Sequence, residues 1–168
     1  MRAHVIENGV VVNTIEVESL ADFPGAVEAV GSEGIGWSYS GGTFIAPAVD
    51  IDLLKSRYWE SIKSERDRRT QAGGYQVAGK WYHSDTFSRT QQMGLVMLGA
   101  NVPAGLQWKT MDGSFVTMTQ TLAGQVFAAA AASDAALFAR AEQIKAAMEA
   151  DPVNFSLASQ TWPAVFGE

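Results

Sequence analysis

Residues 75–100 read YQVAGKWYHSDTFSRTQQMGLVMLGA, and this stretch decides the fold class. Aromatic and β-branched residues flank the pair Ala78-Gly79, as a tight hairpin with a half-buried, pleated surface requires. Ser84 or Asp85 then supplies an N-cap for a helix running to about Leu98, and Gly99 ends it. The pattern returns 34 residues later in 109–134, KTMDGSFVTMTQTLAGQVFAAAAASD, where Gly79 aligns with Gly113, Trp81 with Phe115 and Gln91 with Gln125. Two hairpin-plus-helix units in series predict an α+β fold, with the hairpins pairing into one sheet and the helices on one face.

Two further stretches carry hairpin signals: HVIENGVVVNTIEV around Asn8-Gly9, and GWSYSGGTFIAP around Gly41-Gly42. With Ala78-Gly79 and Asp112-Gly113, each is read as a two-residue turn. Ser19 to Val30 is expected to form a short helix interrupted by Pro24-Gly25. Asp50 caps a longer helix from Ile51 to about Gln71, closed by Gly73-Gly74, with the apolar stripe Ile51, Leu54, Tyr58, Ile62. Beyond Ile62 the run KSERDRRTQ is polar on every side. It is expected to project into solvent or bridge two domains, held by the pairs Lys63–Asp67 and Glu65–Arg69. Thr119 opens a helix lasting to about Ala150, with the seam Leu122, Val126, Ala129, Ser133, Leu137, Ala141, Ile144, Met148. One unbroken helix is expected, Ser133-Asp134 being the place where a second could start. Its small residues admit close approach by another helix, from this chain or from a second copy. The resulting division is an N-terminal β-hairpin module over 1–49, a connector helix over 50–72, a hairpin-plus-helix domain over 73–151 and an irregular tail over 152–168.

Composition narrows the function. The chain has 168 residues, a net charge of −6, no cysteine and 18% charged residues. An acidic chain without thiols disfavours nucleic-acid binding, disulfides and thiolate metal sites. The opening MRAHVIENGV lacks the basic-then-apolar run of a signal peptide. Residues 113–133 are free of charge and long enough to span a bilayer, but they are rich in Thr, Gln and Ala, so no membrane span is expected. Neither His4 nor His83 has metal-ligand spacing. His83-Ser84-Asp85 has the residue types of a hydrolase triad, but neighbouring side chains point apart, and a strand end running into a helix cap explains them. Asp50 and Asp52 suit a helix N-terminus. The glycine-rich run Gly31 to Gly36 lacks phosphate-loop spacing. No enzyme, cofactor or metal is expected.

Several stretches carry a resemblance. Arg68-Arg69-Thr70-Gln71, the junction Trp81-Tyr82-His83-Ser84-Asp85, the segment Arg89-Thr90-Gln91-Gln92, and Trp108 with Asp112-Gly113 resemble a domain of unknown function common in bacteriophage tail gene clusters. VIENGVVVN and GWSYSGGTFIAP look like the N-termini of phage tail-fibre assembly proteins. The resemblance implies a tail-fibre assembly chaperone of a phage or phage-tail-like bacteriocin (a tailocin), acting in the host cell cytoplasm. It would help a trimeric receptor-binding fibre fold; the alternative it implies is a structural accessory protein kept on the fibre or baseplate.

The partner surface is expected at Trp162 and Phe166 in the tail, together with Arg66, Arg68 and Arg69 at the basic end of the connector helix. Tail aromatics outside any periodic element have no evident role in the fold, and aromatic and Arg residues dominate interface energies. On this reading, removal of 152–168 abolishes partner binding and leaves stability nearly intact. The competing reading is that the tail folds back and seals the chain's own core.

Overall fold

Asn8 and Gly9 both adopt left-handed backbone, with φ of 52° and 75°, and close the first hairpin between β1 (Arg2–Glu7) and β2 (Val10–Glu16). The computed structural model describes all 168 residues, which form two units, Met1–Asp50 and Ile51–Glu168. The fold is α+β, with antiparallel sheets and one long C-terminal helix.

The first unit is a five-stranded antiparallel sheet. Its remaining strands are β3 (Ala26–Glu28), β4 (Ser38–Ser40) and β5 (Thr43–Ile45), in the order β3-β1-β2-β4-β5. Gly41 and Gly42, at φ 58° and 86°, make the β4–β5 turn. The helix expected over Ser19–Val30 is absent. A single 3-10 turn at Leu20–Asp22, capped by Ser19, is followed by β3 on the edge of β1. Pro24-Gly25 ends the turn, and the free edge of β1 then supplies hydrogen bonds that a helix broken there would lack. Buried His4 donates to or accepts from Thr14 Oγ1 through Nδ1 at 2.9 Å and sits edge-on to Phe44. The loop at 30–36 is closed by the Glu33 carboxylate, which accepts from the backbone N–H groups of Val30 and Gly31.

The second unit begins with α1 (Ile51–Ala72). Next come β6 (Tyr75–Val77) and β7 (Lys80–Tyr82), then α2 (Thr86–Leu98). The pattern repeats with β8 (Gln107–Lys109), β9 (Phe115–Thr117) and α3 (Gln120–Ala150). The helices α2 and α3 start 34 residues apart, behind the N-caps Asp85 and Thr119, whose side chains accept from Ser88 N–H and Leu122 N–H. The two hairpins remain separate two-stranded sheets, joined through the backbone by Met111 N–H donating to Trp81 O. The turn at Asp112-Gly113 is longer than expected. Thr110 N–H donates to Ser114 O, Gly113 N–H to Thr110 O, and Gly113 alone takes left-handed φ, 81°. The cause is the Asp112 carboxylate, which accepts from Thr110 Oγ1, Ser114 N–H and Lys80 Nζ and so tethers this turn to the other hairpin.

The helix α3 is unbroken, about 45 Å long at ~1.5 Å per residue. It is long and apolar enough to cross a membrane by length and composition. Its stripe serves two clusters in this fold. Ala123, Val126 and Ala130 meet Tyr75, Tyr82, Leu95 and Met118. Ala141, Ile144 and Met148 meet Ile62 of α1, with Tyr58 and Trp59 alongside. Ala123 and Ala130 are the buried positions where Leu122 and Ala129 were expected; the latter pair is half-buried.

Candidate functional site

The polar half of α1 does not project. Arg69 is 8% exposed and makes hydrogen bonds to Glu65 Oε1 (2.7 Å), Pro163 O (3.0 Å) and both Glu168 carboxylate oxygens (2.9 and 3.0 Å). Its guanidinium also lies over the Trp162 ring. Arg68 bonds to both oxygens of Glu65 and reaches Glu168 at 3.5 Å. Arg66 pairs with Asp67 and stacks on Phe138 of α3, 4.3 Å from its centroid. Lys63 pairs with Glu60, not with Asp67. The Arg68 hydrogen bond, ahead of the one from Arg69, brings the Glu65 carboxyl down to about 2.

The structure therefore brings Arg68 and Arg69 together on Glu168, with the Trp162 ring against the Arg69 guanidinium, in contacts made within the chain. Phe166 sits nearby: its N–H donates to Gly73 O and its ring meets Trp81 at 6.3 Å. Val165 is buried against Gly73, where a Cβ would come within 2.5 Å of the Val165 Cγ1. Phe155 stacks edge-on to Tyr58, so the tail covers the second cluster along its length.

Three of the motif residues of the second unit, Ser84, Arg89 and Gln92, are framework. Ser84 is buried, and its Oγ accepts from Gly74 N–H. Gln92 accepts from the Tyr75 hydroxyl and donates to His83 O. Arg89 fans out to Ser84 O, Thr70 O and both oxygens of Asp134. Burial raises the Tyr75 and Tyr82 hydroxyls above the ordinary phenol range. These groups are occupied with one another, and no three His, Asp or Glu side chains converge as a metal site.

An open groove of about 800 Å³ lies between α2 and β8. Phe87, Leu95 and Leu98 line the helix side, and Leu106 and Trp108 the strand side. His83, Ser88, Gln91, Gln107 and Lys109 add a polar border. Phe87 is 72% exposed, an unusual state for so large an apolar group on a helix whose opposite face is buried. Sequence reasoning missed this site, although the exposed face of α2 is visible in the run QMGLVMLGA, apolar on more sides than one core needs.

Residues 54–161 match the family model described as a domain of unknown function, DUF4376. The chain belongs to this family. No curated protein and no solved structure matches it. The DUF4376 segment contains both hairpin-plus-helix units and the whole groove, and ends one residue before Trp162.

Proposed function

We propose that this protein is an assembly chaperone for the trimeric receptor-binding fibre of a phage or phage-tail-like particle, acting in the host cell cytoplasm. The observation that carries the binding role is the open apolar groove on the DUF4376 unit, set on a framework whose buried and half-buried arginines, Arg69 and Arg89, are already paired. A surface of that kind recognises apolar segments of an unfinished partner. The assignment of the fibre as partner comes from the motif resemblance at 68–71, 81–85, 89–92 and 112–113. The protein works by binding, without cofactor, metal, nucleic acid or membrane.

Co-expression with the tail-fibre gene expected beside its own tests this directly. The full chain should raise the yield of fibre trimers and co-purify with fibre subunits. Equal trimer yield in its absence overturns the proposal. Presence of the protein in purified particles at fixed stoichiometry would replace it with the structural accessory role.

A further inference from the structure

Four consecutive residues, Leu106 to Lys109, all border the groove. Side chains alternate between faces along a strand, so a cavity against one face of β8 would meet only two of them. A groove that meets all four runs along the edge of the strand. That edge is open. Leu106 O accepts from Met118 N–H and Thr110 N–H donates to Ser114 O. By the alternation of an antiparallel ladder, the N–H and C=O groups of Gln107 and Lys109 then point away from β9. The neighbouring hairpin takes up this edge only farther along, at Met111.

Across the groove, the centre of the α2 wall is Gly94, where an added Cβ would find nothing within 4 Å. The helix thus leaves room for a backbone between Phe87 and Leu98. Charge selects the occupant. Residues 86–111 hold Arg89 and Lys109 and no acid, in a chain of net charge −6. Arg89 is paired with Asp134, so Lys109 is the formal charge presented at the groove.

We infer that the groove takes an extended partner strand, apolar and neutral to acidic, which adds to the free edge of β8 through the main chain of Gln107 and Lys109. Its alternate side chains rest on Trp108 and the apolar face of α2, and its backbone supplies the missing ladder bonds. The source of the strand rests on the reading of the protein as a fibre assembly factor; the binding mode rests on the groove alone.

Amide hydrogen exchange on the isotope-labelled full chain tests it with two probes. One is the purified fibre protein. The other is a capped peptide of about eight alternating Val and Thr residues with one Glu. Both should slow exchange at the Gln107 and Lys109 amides. Gln107→Pro removes one outward N–H and spares the backbone ladder to β9, losing besides only the exposed side-chain bonds from Gln107 Nε2 to Thr117 Oγ1 and Gly105 O, and Gly94→Leu fills the groove from the other side. Each should weaken binding about tenfold or more; Gly94→Leu, which replaces an exposed helix-interior glycine, should do so with a melting temperature that does not fall, and it carries the test if the proline variant misfolds. Fibre binding with both amides still exchanging freely overturns strand addition and leaves the assembly role standing. Peptide protection without fibre binding does the reverse. Protection that grows with protein concentration in the absence of either probe assigns the edge to a second copy and overturns the inference, as does protection by neither probe.

Discussion

Arg89 and Asp134 meet in a two-pronged ion pair, Nη1 to Oδ2 at 2.6 Å and Nη2 to Oδ1 at 2.8 Å. The pair joins α2 to the middle of α3 across 45 residues of sequence. Because the same guanidinium also serves Thr70 O and Ser84 O, it ties the ends of α1 and β7 to that joint. Arg89→Ala should cost about 2–3 kcal/mol, since two carbonyls and a carboxylate lose a charged donor together. Asp134→Asn, which keeps the shape and one acceptor, should cost less. Urea unfolding of both variants checks the order.

Two positions of positive φ should respond in opposite directions. Gly74, at φ 70°, leaves no space: a Cβ would lie 2.9 Å from Tyr82 O and 2.3 Å from Met111 Sδ. Gly74→Ala should therefore destabilise by about 2–4 kcal/mol. Ala78 already holds φ 50° in the β6–β7 turn, a region costly for alanine. Ala78→Gly should stabilise by about 1 kcal/mol, read as a rise in melting temperature.

Truncation after Asp151 should destabilise the second unit. The tail covers Ile62, Ile144 and Met148, and it supplies Glu168 and the Pro163 carbonyl to a buried arginine. Leaving Arg69 without them should cost at least about 3 kcal/mol. A truncated chain that melts with the full-length protein would show that the tail seals nothing.

Leucine placed in the α1–α3 contact should be resisted. Ala141 is fully buried there, so Ala141→Leu should cost about 1–3 kcal/mol by overpacking. The same change at exposed Ala131 should be nearly neutral.

Acid should loosen the tail clamp. Glu65 is lowered from 4.5 to about 2, chiefly by Arg68, so its carboxylate contributes stability that is complete above about 4.5 and is lost as pH falls towards 2. Glu65→Gln should lower the melting temperature at pH 7 and flatten its decline between pH 4.5 and 2. Parallel declines in both proteins would assign the acid sensitivity to other carboxylates.

What the chain's order of residues determined by itself was local. The turns at Asn8-Gly9, Gly41-Gly42 and Ala78-Gly79, the caps Asp85 and Thr119, and the stop at Gly99 all stand where sterics and hydrogen bonds within four residues put them. The continuity of α3 belongs here too, and the C-terminal half of its expected seam, Leu137, Ala141, Ile144 and Met148, is buried, while in the N-terminal half burial falls one residue past Leu122 and Ala129, at Ala123 and Ala130. Tertiary structure decided whatever depended on a distant partner. Ser19 to Val30 gave up its helix because the edge of β1 was there to pair with. The polar half of α1 reads as solvent-facing in isolation, since nothing near Arg69 in sequence announces Glu168, 99 residues away, or the tail that carries it. The groove along β8 exists because α2 and a strand edge, each ordinary alone, come to face each other, with Gly94 leaving open space on the helix side and the ladder to β9 engaging only one edge of the strand. Local rules act through bonds and neighbours; a cavity is made by elements that meet only after the chain has folded.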